Sequence, residues 1–151
     1  MCIRDRWKSQ ASASISGMTL STGRGHVVLA VLQGIAAQVA ELIGAIDQDT
    51  AVPLTRLRAD GGLTQSKVLM QCCADILQIP VEVYPSAHAT ALGAAALARL
   101  SLHPSHSLRD VVSGWTPAAT YEPGWTAPRA AEFRHRWREL AATTYPTQET
   151  S

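Results

Sequence analysis

Aromatic residues are scarce in this chain of 151 residues: they make up 5% of it, whereas hydrophobic residues as a whole make up 46%. Its core must therefore be built mainly from Ala, Val, Leu and Ile, a composition that suits helices packed tightly against a sheet. The length is that of one domain with a substantial core.

Cysteine is also rare. The chain has three cysteines, of which Cys72 and Cys73 are adjacent, and this excludes a disulfide framework and a Cys-x-x-Cys pair. Neighbouring residues on a helix point about 100° apart, so at most one of the two should face solvent. We interpret them as small buried apolar residues rather than a redox pair. The cytoplasm is the natural compartment for such a chain.

No charge of one sign dominates. The chain has 13 basic and 12 acidic residues and a formal net charge of +1. Proteins that bind nucleic acids or membrane surfaces normally carry a basic excess, so neither partner is predicted. The histidines lack the spacing to Cys, Asp or Glu that would build a metal site, and no metal ligand is predicted. No Gly-x-x-x-x-Gly-Lys loop occurs either.

The beginning of the chain is unusual. Met1 to Arg6 resembles a leader that recurs at the front of translated environmental sequence fragments, and no apolar stretch long enough for a signal peptide or a membrane span is expected after it. Residues 1–8 are therefore predicted to be a non-native leader, and the true N-terminal part of the protein is expected to be missing.

Hydrophobic periodicity predicts an α/β fold. The pattern places a parallel βαβ unit at the centre of the chain, because strand, helix, strand and helix follow one another there. An irregular segment with one helical turn near residues 108–112 comes next. The predicted strands cover residues 14–18, 54–59 and 81–84, and the predicted helices cover 25–46, 65–78, 90–100 and 129–142.

Asp60-Gly61-Gly62 lies between the strand at 54–59 and the helix that follows it. Two adjacent glycines can take backbone angles closed to other residues, and they present unshielded N–H groups. The positive end of the following helix dipole adds to this, so the turn suits a phosphate group. A nucleotide site is the leading hypothesis, although any tight strand-to-helix turn also favours glycine.

Two ordered motifs carry a family resemblance. The first runs from Leu57 to Gln71 and continues through Asp75–Glu82 and Thr90–Ala95; the second combines Ala13-x-Ile15-x-Gly17-Met18 with the segment from His26 to Gln33. Together they resemble the ATP-site segment and the C-terminal signature of the FGGY carbohydrate kinases, particularly the glycerol kinases. The resemblance extends over residues 12–100 and more loosely beyond them.

This resemblance implies an actin-like ATPase (ribonuclease H-like) lobe that binds ATP with Mg²⁺ in a cleft facing a second lobe. Residues 9–102 would form the ATP-site half, and residues 103–151 a C-terminal strap with a terminal helix. The other lobe would hold most contacts to a sugar or polyol and the catalytic Asp, so no catalytic residue is assigned here. The chain alone is expected to be inactive, and the full-length enzyme could form a homo-oligomer.

Four residues are expected to bind the nucleotide. Gly62 is the first choice, with Gly61 beside it near the phosphates and ribose. Ser66 stands where glycerol kinases carry an Asn that contacts adenine; its alternative role is that of an ordinary residue in the first helical turn. Asp60 could orient the turn or act through water on the metal–phosphate complex, or its side chain could cap the turn.

Other functions stay open. Ser66 puts strict glycerol specificity in doubt, so the chain could come from a xylulose kinase or another sugar kinase. A stand-alone nucleotide-binding or regulatory module would bind ADP without a second lobe. A non-catalytic structural domain, whose Gly-Gly turn is only a turn, would bind no nucleotide.

Overall fold

Three short strands form the sheet in the computed structural model, which describes residues 14–50, 52–86, 88–111 and 114–144. The strands are β1 (Leu57–Ala59), β2 (Val81–Val83) and β3 (Ala119–Tyr121), in the spatial order β1-β2-β3. The predicted leader at residues 1–8 lies outside the described residues. Residues 14–18 were expected to form a strand but have no regular secondary structure.

The first helix, α1 (Arg24–Thr50), is longer than the predicted 25–46. At its start the backbone N–H of Gly23 donates to Nδ1 of His26 over 3.1 Å. At its end the hydroxyl of Thr50 donates to the carbonyl of Ile46 over 2.9 Å and so gives that carbonyl a partner in the last turn. The buried face consists of alanines, whose small side chains allow close packing: Ala36, Ala37 and Ala40.

By length and composition alone, α1 could also cross a membrane, with a mean hydropathy of 1.8 in its most apolar window. The expectation that no apolar stretch reaches this length was therefore wrong. Core helices of soluble proteins meet the same criterion, and one such helix is weak evidence for a membrane span. Here α1 packs closely against the helix between β1 and β2.

The predicted βαβ unit is present. A 3₁₀ helix (Gly62–Gln65) and helix α2 (Lys67–Leu77) connect β1 to β2, and the two strands pair in parallel with Leu57 opposite Val81. The single helix expected at 65–78 is thus divided by Ser66, which has extended backbone angles. Because side chains alternate along a strand, Leu57 and Ala59 face the core and Arg58 points to the opposite face of the sheet.

Strand β3 was not predicted. It pairs antiparallel with β2, with Glu82 opposite Thr120, inside the segment that was expected to be irregular. The helical turn expected near 108–112 is present as α4 (Leu108–Val111). Two longer helices complete the fold, α3 (Ala89–Leu102) and α5 (Ala127–Thr144).

The centre of the core is α2. Both of its cysteines are buried, as expected for small apolar residues, and burial raises the pKa of each thiol. The core residues that α2 contributes pack against alanines of α1 and against Val81 of β2. They are Leu69, Met70, Cys72, Cys73, Ala74 and Ile76. The helix that follows the Gly-Gly turn is therefore held on several sides.

Candidate functional site

The Asp60-Gly61-Gly62 turn follows the carboxyl end of β1 and leads into α2. Gly61 has φ 94° and ψ 177°, angles that only glycine adopts without strain. Its carbonyl accepts two hydrogen bonds from Thr64, one from the backbone N–H over 3.1 Å and one from the hydroxyl over 2.7 Å. The conformation of the turn therefore accounts for Gly61.

Gly62 has a different explanation. Its φ is not positive, and a Cβ added to it would meet no atom within 4 Å. Neither backbone conformation nor packing within the described residues requires glycine there. Gly25, Gly34 and Gly44 share both features, so these features do not by themselves mark a ligand site, but they leave space for a ligand beside Gly62.

The backbone around Gly62 also offers donors. The N–H groups of Gly62 and Leu63 begin the 3₁₀ helix and have no acceptor among residues 14–50, 52–86, 88–111 and 114–144. Both residues are exposed. Free N–H groups at a helix start favour anions, so the turn can accommodate a phosphate oxygen.

Ser66 is the N-cap of α2. Its side-chain oxygen accepts a hydrogen bond from the backbone N–H of Leu69 over 3.3 Å. The alternative role in the first helical turn is thus realised as a cap. The hydroxyl hydrogen can still be donated to a ligand, since a serine hydroxyl donates and accepts at once.

Asp60 is exposed, and its carboxylate forms no hydrogen bond with any residue that the structure describes. The alternative in which this side chain caps the turn is therefore not realised. The carboxylate is free to act on a ligand or a hydrated cation in front of the turn. The described residues contain no group of three or more His, Cys, Asp or Glu side chains that could hold a metal ion.

A buried carboxylate on α2, to which the sequence analysis assigned no role, connects this helix to a segment that follows β3. Asp75 is 6% exposed, and its Oδ1 accepts hydrogen bonds from Nε2 of Gln71 over 2.9 Å and from the backbone N–H of Gly124 over 2.6 Å. The same Nε2 of Gln71 donates to the carbonyl of Glu122 over 2.8 Å. The segment 122–125, which belongs to the strap expected from residue 103 onwards, is thereby attached to α2.

The C-terminal end of α2 has a second attachment. Gln78 takes left-handed backbone angles, φ 61° and ψ 29°, and so ends the helix. Its Nε2 donates to the carbonyl of Asp75 over 2.6 Å and to that of Trp125 in the strap over 3.2 Å. A glutamine with positive φ could not be recognised from sequence alone. Together with Asp75 it fixes the position of α2 and hence of the turn.

Glu82 of β2 lies on the face of the sheet opposite the core. The residue is 8% exposed. Its carboxylate accepts hydrogen bonds from Nη1 of Arg56 over 2.7 Å and from Nε of Arg58 over 3.3 Å. The guanidinium of Arg58 also lies 4.9 Å from the ring centre of Trp115. This cluster stabilises the pairing of β1 with β2 close to where the turn begins.

The turn is open to solvent on its outer side. A cavity of about 420 Å³ lies between α1 and α5, and a second of about 460 Å³ lies between α1, α2 and α5; both are lined by Gln33, Trp125 and Arg129. Neither cavity is lined by Asp60, Gly61, Gly62 or Ser66. The four predicted residues, which the turn keeps close together, therefore lie outside both of these cavities.

Comparison with known proteins identifies the family. Residues 3–102 match the model of the FGGY family of carbohydrate kinases, C-terminal domain. A glycerol kinase of Bordetella parapertussis is 39% identical over 133 residues, which are 88% of this chain and 26% of that protein. A glycerol kinase of Saccharopolyspora erythraea is 38% identical over 140 residues, 92% of this chain and 28% of that protein.

Solved structures give the same result. The chain resembles a Plasmodium falciparum glycerol kinase with ADP at a TM-score of 0.77 and 32% identity, over 97% of this chain and 29% of that one. It resembles a Rhodospirillum rubrum xylulose kinase at a TM-score of 0.77 and 28% identity, over 91% of this chain and 28% of that one. The predicted α/β fold, an actin-like ATPase lobe with a parallel βαβ unit, is confirmed.

The chain spans about a quarter of the length of the curated relatives that it matches. Its match to the family model nevertheless covers the βαβ unit, the Gly-Gly turn and helix α3. The chain belongs to the FGGY family of carbohydrate kinases and contains the C-terminal domain of that family.

Proposed function

We propose that this chain supplies the nucleotide-binding surface of an ATP-dependent carbohydrate or polyol kinase. The observation that carries the proposal is the pair of exposed N–H groups of Gly62 and Leu63, which have no acceptor among the described residues and lie in front of α2. Gly61 and Gly62 would lie against the phosphates and ribose, Ser66 would donate towards the base, and Asp60 would face the hydrated metal. The family membership supports this assignment.

In the reaction, a substrate hydroxyl oxygen attacks the γ-phosphorus of ATP, the bond to the β,γ-bridging oxygen breaks, and ADP leaves. Mg²⁺ would neutralise charge on the phosphates, held mainly through water and carboxylates. Such transfer depends on positioning and charge neutralisation, so one open half of a cleft should not catalyse it. The proton acceptor and the main substrate contacts would belong to the part of the enzyme that this chain does not include. This chain alone would therefore be inactive.

We favour a glycerol-like acceptor because the most similar relatives compared above are glycerol kinases. A xylulose or other sugar kinase is the second candidate, since Ser66 stands where the resemblance implies an Asn in glycerol kinases, and a xylulose kinase shares the fold at 28% identity. In either case the substrate would be a small sugar or polyol. The enzyme would act in the cytoplasm, and the full-length protein could form a homo-oligomer. A stand-alone regulatory module remains the alternative.

Within the chain, we propose that residues 9–102 form the ATP-site half and that residues 103–151 form the strap and terminal helix. The attachment of the strap to α2 through Asp75 and Gln78 supports a positioning role for the second part.

The test is calorimetric titration of MgADP into the purified chain, into a Gly62→Asp variant and into a Gly25→Asp control. Gly25 is exposed with no atom within 4 Å of an added Cβ, so the control adds the same charge away from the turn. Half a cleft should bind with a Kd of roughly 0.1–1 mM, about 4–6 kcal/mol.

Binding that the control keeps and Gly62→Asp abolishes would support the proposal. Binding that survives Gly62→Asp would place the nucleotide elsewhere. No heat from a folded chain would contradict the stand-alone module, and nucleotide binding at the turn would then have to depend on the rest of the enzyme.

A further inference from the structure

The larger cavity, about 460 Å³ in volume, is lined by residues from α1, α2, β3, the strap and α5. Helix α2 turns one side towards it, from Lys67 at its start to Asp75 about two turns later. Strand β3 contributes Tyr121, the strap contributes Trp125, and α5 contributes Arg129. Sites for small ligands have volumes of about 300–1,000 Å³, so the cavity is large enough for one.

Two cations from separate helices line this cavity. Lys67 belongs to the first turn of α2 and Arg129 to the first turn of α5. Neither forms an ion pair with any residue that the structure describes. An unpaired cation is not unusual in itself, because Arg109 on α4 has no ion pair either. The unusual feature is that two of them, from different elements, meet at one cavity.

Two further cavities lack this arrangement. A cavity of about 260 Å³ at the N-terminal end of α1 is lined by no Lys or Arg. The cavity of about 420 Å³ has two arginines, but both belong to α5 and Glu132 lies beside them. In the larger cavity the one carboxylate is that of Asp75, which already accepts two hydrogen bonds within the fold. Its lining thus carries two cations and one anion that is already engaged.

Arg129 is held in position by an aromatic ring. Its guanidinium lies over the ring of Trp125, 4.2 Å from the ring centre, in a cation–π contact. Trp125 in turn meets Phe133 edge to face, with ring centres 5.5 Å apart. A guanidinium that rests on a ring through its face keeps its N–H groups available. These groups can bind a carboxylate or a phosphate through two parallel hydrogen bonds.

The rest of the lining offers neutral polar groups and an apolar wall. The side chains of Gln33 and Tyr121 form no hydrogen bond with any of the described residues. Leu29 and Val68 are 40% and 51% exposed and present apolar surface to the cavity. A few polar groups on a mainly apolar and aromatic lining are typical of a site for a small molecule.

We propose that the larger cavity is a second ligand site, separate from the Gly-Gly turn, for a small organic oxyanion. The ligand would combine a phosphate or carboxylate group with an apolar ring or short chain. Arg129 and Lys67 bind the oxyanion, and the apolar part lies against Val68. The inference goes beyond the proposed nucleotide site, whose four residues do not line this cavity.

The test follows the indole N–H signals of the ¹⁵N-labelled chain by NMR while phenyl phosphate is added. Trp125 lines the cavity, whereas Trp115 lies against Arg58 on the opposite face of the sheet and serves as an internal reference. The Trp125→Phe variant assigns the signal. Phenyl phosphate should shift the Trp125 signal saturably, with a Kd of roughly 1 mM or below.

Variants show whether the two cations bind the ligand. Arg129→Gln and Lys67→Gln should each weaken the binding of phenyl phosphate about tenfold, because each removes a charge-assisted hydrogen bond. Arg109→Gln is the matched control, since Arg109 is exposed and lines none of the three cavities, and it should leave the affinity unchanged. Lys67→Gln keeps the test decisive if Arg129→Gln disturbs the fold. Equal affinities of all three variants would overturn the inference.

Other probes define the ligand. Benzoate replaces the phosphate by a carboxylate, and the tighter of the two identifies the preferred anionic group. Benzyl alcohol has no charge and should not bind, and inorganic phosphate should bind about tenfold more weakly than phenyl phosphate because it has no ring to bury. Inorganic phosphate that binds as tightly as phenyl phosphate would overturn the proposed class of ligand. A folded chain that binds neither phenyl phosphate nor benzoate would overturn the site itself.

The nucleotide proposal is read out separately in the same samples. MgADP should not displace phenyl phosphate, and Gly62→Asp should not change the affinity for phenyl phosphate. Displacement by MgADP would overturn the separation of the two sites. A chain that binds phenyl phosphate at Trp125 but does not bind MgADP would support the second site and count against nucleotide binding by the isolated chain alone.

Discussion

The backbone N–H of Gly124 donates a hydrogen bond to Oδ1 of Asp75 over 2.6 Å, across 49 positions of sequence. A Cβ added to Gly124 would lie 3.4 Å from that same oxygen, at van der Waals contact, so a small side chain at this position would touch the carboxylate. The contact joins the segment before α5 to the helix that follows the Gly-Gly turn.

Replacing Asp75 should destabilise the whole domain. Asp75→Ala leaves the N–H of Gly124 and one hydrogen of Gln71 without their buried acceptor, at a cost of about 2–3 kcal/mol in the free energy of unfolding. Asp75→Asn is the matched control, because its amide oxygen can still accept both bonds, and it should cost clearly less. Urea denaturation followed by circular dichroism measures both, and equal losses would show that the charge rather than the hydrogen bonds matters.

The two glycines of the turn should respond in opposite ways. Gly61→Ala forces a side chain into a backbone region that only glycine tolerates and should lower stability by about 1–3 kcal/mol. Gly62→Ala adds a methyl group in open space and should leave the melting temperature unchanged or slightly raised. Thermal unfolding of the two variants decides this, and strong destabilisation by Gly62→Ala would mean that the fold itself requires that glycine.

Ser66 should have two separable roles. Ser66→Ala removes the cap of α2 and should lower the free energy of unfolding by about 1 kcal/mol. Ser66→Asn preserves a capping side chain and should keep that stability. If the residue also contacts the nucleotide, MgADP affinity should fall in the Ala variant and persist in the Asn variant. Identical affinities in all three proteins would restrict Ser66 to its capping role.

Stability should decline in alkaline solution because of Cys73. Burial, with a smaller effect from Cys72, raises the pKa of the Cys73 thiol from its ordinary 9.0 to about 11. Between these values the unfolded chain releases a proton that the folded chain keeps, so the folded state binds more protons and loses stability as the pH rises. The expected loss between pH 9 and 11 is about 2 kcal/mol, and stability should not depend on this group below pH 8.

The Cys73→Ala variant provides the control for this pH dependence. Its stability should fall less steeply over the same interval, with a remainder from Cys72, whose thiol pKa is also raised by burial and by the charge of Asp75. Denaturation curves at several pH values give the two slopes. Parallel slopes for variant and wild type would contradict the assignment.

The sequence was sufficient to predict the elements whose pattern is local. Helix α2 and strand β2 were found close to their observed ends because apolar spacing marks the former and alternation the latter. The position of the Asp60-Gly61-Gly62 turn was predicted for a similar reason, since its two glycines stand between the strand pattern of β1 and the helical pattern of α2. Its four residues do lie together, although their contact with a nucleotide remains a prediction.

Features that depend on distant contacts could not be predicted. Strand β3 contains only three residues, and its pairing with β2 rather than its own composition makes it a strand. The cap position of α3 is His88, which makes no side-chain hydrogen bond there, so no capping side chain marks the start of this helix in the sequence. Asp75 and Gln78 gave no signal either, because their partners lie in the strap and nothing in a local pattern connects the two segments.

The position of β3 also determines when this domain can be completed during synthesis. Strand β2 stays at the edge of a two-stranded parallel pair until residues 119–121 have left the ribosome and can align beside it. Until then, the hydrogen-bonding edge of β2 and the side of α2 that receives the strap are exposed to other nascent chains. A ribosome that stalls between α3 and β3 would therefore present an aggregation-prone intermediate rather than a smaller folded domain.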